Sequence, residues 1–163
     1  MPHGGRGVKK TGAVVSEHRI GLQWSRNGGP FARGNYDSSH EVRYSGGQQL
    51  KIGPSPELGG NPALADPEQM LLSALSSCHM LTFLAVAANR GYIVDTYRDD
   101  AVARLGKNED GKTAVVQATL SPTVTFSGER QPSADEYLKL HERAHAGCFI
   151  ANSVRARVDV RPG

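Results

Sequence analysis

Residues 66–91 read DPEQMLLSALSSCHMLTFLAVAANRG, and this stretch decides the fold. Asp66 can cap free backbone N–H groups, Pro67 suits the first helical position, and Gln69 stands three residues after the cap. That is a capping-box start. Apolar residues then continue through Met70, Leu71, Leu72, Leu75, Met80, Leu81, Phe83, Leu84 and Val86, and Gly91 is a natural stop. The pattern predicts a helix of about 23 residues, roughly 35 Å long at 1.5 Å per residue. Its apolar positions fall on nearly every face, as in a helix buried on all sides. A chain of 163 residues has difficulty enclosing such a helix alone. Two copies packing these helices together would solve the problem, so a homodimer is expected.

Outward from this helix, the flanks read as strands. Ala13–Trp24 is β-like, and Ser25–Gly34 is turn-rich. Glu41–Tyr44 and Gln49–Ile52 form a hairpin about Gly46 and Gly47. Gly53–Ala65 is rich in Pro and Gly. After the helix, Ile93–Leu105 reads as one strand or two, with a turn over Lys107–Gly111. Lys112–Phe126 reads as a long antiparallel partner in which Pro122 marks an edge or a bulge. Ser133 with Glu136 opens a second helix, whose buried face is expected to carry Tyr137, Leu138, Leu140 and Ala144 and which Gly147 ends. A short turn follows over Phe149–Ser153, and Val154–Val160 alternates as a last strand. The order predicts an α+β fold with antiparallel sheets around a long central helix.

Composition sets the outer bounds. One domain over residues 12–163 is expected, behind a flexible arm over residues 1–11. Nineteen Lys and Arg against sixteen Asp and Glu leave a net charge of +3, dispersed along the chain. No aromatic residues interleave with those charges, so nucleic-acid binding is not indicated. The most apolar run contains His79, three serines and a threonine, which argues against a membrane span. The first ten residues, MPHGGRGVKK, lack the apolar centre of a secretory signal. The expected compartment is therefore the reducing cytoplasm.

Cys78 and Cys148 are the only cysteines. A structural disulfide is rare in a reducing compartment, which leaves two inert thiols or a reactive pair. Cys78 in the middle of the helix is either a small core hydrophobe or a nucleophile whose thiolate needs stabilising. Glu68 is the acidic candidate nearest to it, but ten helical residues put the two about 15 Å apart. They meet only if two such helices cross in a dimer; otherwise Glu68 is a first-turn acid favoured by the helix dipole. Cys148 lies just after the second helix and before the short turn; as a thiol at the N-terminus of that turn it is expected to be accessible with a lowered pKa, as suits a resolving thiol, or else to be a buried loop cysteine. His79, His141 and His145 lack the paired spacing of a metal site, so no metal or cofactor is expected. His145 as a base toward Cys148 lacks a visible orienting group.

Asp66–Gln69, then Ser73–Met80 around Cys78, then His145–Ser153 around Cys148, resemble the OsmC/Ohr family of thiol-dependent peroxidases, over residues 13–160. Phe149 follows the second cysteine where the family often has Pro. The resemblance implies an intertwined homodimer with two long central helices between sheets. It implies that Cys78 is the peroxidatic cysteine, that Cys148 resolves it through a Cys78–Cys148 disulfide, and that Glu68 is the active-site carboxylate. It further implies organic hydroperoxides as substrates and a small dithiol of lipoyl type as reductant. The family often has an arginine two residues after a tyrosine and two before a histidine. In Tyr36-Asp37-Ser38-Ser39-His40 that place belongs to Ser38. Arg33 or Arg43, donated by the partner chain, is the candidate substitute. A pocket of Met80, Phe83, Leu84 and Phe149 is expected to favour bulky hydroperoxides. The competing function is an OsmC-like ligand-binding or redox-sensing protein with little peroxide turnover.

Overall fold

The computed structural model describes residues 13–163, and the expected N-terminal arm lies outside them. The described residues divide into two compact units, 13–52 and 53–163.

The first unit is a three-stranded antiparallel sheet. Strand β1 (Ile20–Gln23) pairs with β2 (His40–Tyr44), which pairs with β3 (Gln49–Ile52). The hairpin between β2 and β3 turns at Gly47, whose φ of 87° lies in the left-handed region that glycine adopts without strain. β1 is only four residues long, shorter than the β-like stretch expected over Ala13–Trp24.

The second unit is built on α1 (Pro67–Asn89). Its start is the capping box read from the sequence. Asp66 Oδ1 accepts from Gln69 N at 2.7 Å, and Gln69 Oε1 accepts from Asp66 N at 3.2 Å. Past its end, Gly91 takes φ 75° and donates to Ala88 O. By length and composition α1 would suit a membrane span, yet it packs against a second helix, α2 (Ala134–Gly147). Only one stripe of α1 is buried: Leu75, His79, Phe83 and Ala87, spaced four apart. Leu81 is exposed. Within one chain α1 is thus covered on one face, not on all sides.

Two sheets flank the helices. Strands β4 (Ile93–Asp99) and β7 (Pro122–Ser127) pair antiparallel. Strands β5 (Val102–Lys107), β6 (Thr113–Leu120) and β8 (Arg157–Val160) form the other sheet in that order. Three expectations are corrected here. Lys112–Phe126 is not one long strand but two, in different sheets, broken at Ser121. Asp99 makes the break by accepting from Ser121 N at 2.7 Å, and Pro122, which has no N–H, opens β7. The last strand is four residues long, not seven. It also lies parallel to β6 rather than antiparallel.

α2 opens with the expected box between Ser133 and Glu136. Its buried residues are Leu140, His141 and Ala144, while Leu138 is half exposed. The helical period explains the correction, because Tyr137, Leu140, His141 and Ala144 share one face and Leu138 does not. Phe83, Ala87, Tyr92, Leu140 and Ala144 form the core of this unit, with Tyr97, Val124, Phe126 and Tyr137 packed around it.

Candidate functional site

Cys78 sits at the middle of α1, half-buried, and Cys148 caps the C-terminus of α2, fully buried. Both are free thiols. Two small residues let the helices approach there. Gly147, just before Cys148, faces Thr82, one helical turn past Cys78. Thr82 Oγ1 in turn donates to Cys78 O at 2.8 Å. The approach sets the two thiols beside each other, near enough for Cys78 to act on the titration of Cys148. Residues 70 apart in sequence thus form one thiol pair.

The environment of Cys148 corrects the expectation of an accessible, acidic thiol. It follows the end of α2, as read from the sequence, but no helix opens after it, and residues 149–153 form turns. Burial pushes its thiol up to about 11, and the neighbouring Cys78 thiol pushes the same way. Ala151 N donates to its sulfur at 3.4 Å. Cys148 therefore keeps its proton at neutral pH. Cys78 is the more accessible of the two.

Glu68 lies in the first turn of α1, half-buried. The helix is unbroken between Glu68 and Cys78, so about 15 Å of axial rise separates them and they do not meet in one chain. Arg33 lies in the first unit, exposed at the turn closed by the Ala32–Asn35 bridge. Among the described residues its guanidinium pairs with no carboxylate. Arg43 is held by Glu41 at 2.6 Å. The expected pocket does not form as drawn. Phe83 is fully buried in the core, and Phe149 is 81% exposed. An open apolar cup of about 360 Å³ lies instead on the first unit, lined by Leu22, Trp24, Phe31, Tyr36, Ser38 and His40.

Two features beside the thiols escaped the sequence reading. Asp99 accepts from Ser76 Oγ at 2.5 Å as well as from Ser121, tying the Cys78 turn of α1 to the sheets. His79, next to Cys78, lies 3.0 Å from His141 through Nε2 and Nδ1. Burial holds both imidazoles down at about 4; His145 adds to the effect on His79, and His79 to that on His141. The four-residue stripe from Leu75 to Phe83 passes through His79, and that spacing was the signal for it.

A family model described as OsmC-like protein matches residues 59–162. The chain is 40% identical to an OsmC-like protein of unknown function from Vibrio cholerae, with a TM-score of 0.89, over 91% of this chain and all of that one. The fold also matches an organic hydroperoxide resistance protein from Legionella pneumophila at 18% identity and a TM-score of 0.67, over 92% and 97% of the two chains. An organic hydroperoxide resistance protein of Bacillus subtilis matches at 17% identity and a TM-score of 0.62, over 91% and 98%. No curated protein matches. The matched residues take in both cysteines, Glu68 and all of the helix that opens at Asp66, and the chain belongs to the OsmC-like protein family.

Proposed function

We propose that the protein is a thiol-dependent peroxidase that reduces organic hydroperoxides through Cys78 and Cys148. The observation that carries this reading is the close approach of α2 to α1 at Gly147 and Thr82, which sets the two thiols beside each other. A single accessible cysteine would suit many roles. A half-exposed thiol facing a buried, protonated one suits two-electron oxidation followed by closure. The printed names of structural relatives, organic hydroperoxide resistance proteins, point the same way.

In this reading the Cys78 thiolate attacks the terminal peroxide oxygen and the O–O bond breaks. The alkoxide takes a proton and leaves as the alcohol, and Cys78 becomes a sulfenic acid. The Cys148 sulfur then attacks the Cys78 sulfur. An S–S bond forms, and the sulfenic hydroxyl leaves as water with the Cys148 proton. A dithiol of lipoyl type reduces the disulfide by exchange. Glu68 reaches Cys78 only from a second copy, and Arg33 is proposed to come from that copy too, so the proposal includes a homodimer that covers the exposed faces of α1. The reaction needs no cofactor and no nucleic acid, and the proposed setting is the cytoplasm.

The test is consumption of cumene hydroperoxide with reduced lipoamide by the wild type and Cys78→Ser side by side. Turnover in the wild type that vanishes in Cys78→Ser is the expected result. Full activity in Cys78→Ser overturns the proposal. The apolar cup on the first unit favours a second reading, a ligand-binding or redox-sensing protein. It would show as a ligand-induced rise in melting temperature with both thiols still titratable after peroxide.

A further inference from the structure

The buried histidine pair joins the same two helices that carry the thiols. His79 is 1% exposed and His141 3%. Their rings are coplanar to within 2°, with centroids 5.4 Å apart, so the bond runs edge to edge. Phe83 stacks on His141 at 4.3 Å, and Tyr137 meets it edge-on at 4.8 Å. The outer nitrogens, His79 Nδ1 and His141 Nε2, are buried without a partner. Leaving such atoms unpaired in an apolar core is unfavourable, and two apolar side chains of the same shape would avoid it. The pair supplies something that apolar packing does not. A hydrogen bond with one donor and one acceptor fixes both the height and the rotation of one helix against the other.

The thiol pair requires that register. His79 adjoins Cys78, and His141 precedes Cys148 by seven residues, about two turns. A slip of α1 by one residue would move Cys78 about 1.5 Å along the axis and about 100° around it. Disulfide closure tolerates no such change, because the two β-carbons must come within about 4.5 Å.

We propose that the His79–His141 hydrogen bond is a positioning device that holds Cys78 in register with Cys148 and so sets the rate of disulfide closure. Neither histidine touches the reacting peroxide; both act through the helices. The inference rests on the proposed redox role of the thiol pair. The step it governs is the attack of Cys148–SH on Cys78–SOH, which gives the S–S bond and water, the hydroperoxide having supplied the oxidising equivalent.

The experiment separates the two chemical steps. Oxidation of Cys78 by cumene hydroperoxide is timed in a Cys148→Ser background, and closure is timed with Cys148 present. His141→Phe fills the space without the hydrogen bond. It is expected to leave Cys78 oxidation within two-fold of its reference and to slow closure at least ten-fold, so that sulfinic acid accumulates on Cys78. His141→Asn, whose amide stands near the position of Nδ1, is expected to restore most of the closure rate. Closure at the wild-type rate in His141→Phe overturns the proposal, and so does an Asn variant as slow as the Phe variant. If His141→Phe does not fold, His79→Phe takes its place with the same readouts. Diamide, a two-electron thiol oxidant, closes the pair without peroxide. A slowed diamide closure in the variant upholds the positioning role even if peroxide never oxidises Cys78, which keeps the two failures apart.

Discussion

Gly147, the last residue of α2, approaches Thr82 of α1 so closely that a β-carbon on it would stand 3.1 Å from the threonine Cγ2. Thr82 cannot turn away freely, because its hydroxyl donates to Cys78 O. The absent side chain at Gly147 is therefore part of the spacing that lets Cys148, the next residue, reach the Cys78 sulfur. Gly147→Ala needs only a small shift of the Thr82 methyl and recovers part of the roughly 1 kcal/mol that glycine concedes in a helix. Its stability is expected to stay near that of the wild type. Gly147→Val overpacks the contact at a cost of about 1–3 kcal/mol. Urea unfolding and the rate of diamide closure check both variants. A folded valine variant that closes its disulfide as fast as the wild type would show that this contact does not set the sulfur spacing.

The two thiols are expected to differ sharply toward alkylation. Cys148 is buried, and its thiol is raised to about 11. Only the thiolate reacts, so at pH 8 about one part in a thousand of Cys148 is available even before burial is counted. Native reduced protein treated with iodoacetamide is expected to take one label, on Cys78, and to take the second only after denaturation. Peptide mapping by mass spectrometry reads the site. First labelling at Cys148 would mean that its thiol is neither buried nor raised in solution.

The sequence made the helices legible because their signals are local. Asp66 with Gln69, and Ser133 with Glu136, mark starts that the chain itself satisfies within three residues. The hairpin at Gly47 is local in the same way. What was hidden depends on residues far apart. The alternation of β8 announces a strand, but not that it runs parallel to β6. The break at Ser121 needs a carboxylate 22 residues earlier. The His79–His141 bond spans 62 residues. The place of Cys148 just past the end of α2 was legible from Gly147. Its burial was not, because the residues that cover it are far away in sequence.

Asp99 is expected to be the costliest acidic residue to lose near the thiols. One oxygen accepts from Ser76 Oγ, two residues before Cys78, and the other from Ser121 N at the break between the sheets. Asp99→Ala leaves a half-buried hydroxyl and a backbone N–H without their acceptor, each worth about 1–3 kcal/mol. Asp99→Asn keeps an oxygen for Ser121 N, and the serine hydroxyl can rotate to accept from the amide. Chemical denaturation should therefore show a loss of about 2–4 kcal/mol for alanine and a clearly smaller one for asparagine. Equal losses would mean that the negative charge, rather than the acceptor geometry, matters.

Acid should unfold the protein through the buried imidazoles. His79 and His141 are held at about 4 in the fold, chiefly by burial, against an ordinary value near 6.5. The groups facing the pair are Tyr97, Tyr137, His145 and Asp99. Of these, Asp99 alone pulls the other way, since its charge favours protonated His79. Below pH 6.5 the unfolded chain takes up protons that the folded chain refuses. Stability is therefore complete above 6.5 and is lost as the pH falls toward 4. Urea denaturation between pH 7.5 and 4.5 measures the slope. The double variant His79→Leu with His141→Phe removes both titrating groups and leaves no orphaned nitrogen, so its stability should vary much less over that range. An unchanged acid slope in the double variant would assign the acid sensitivity to other groups.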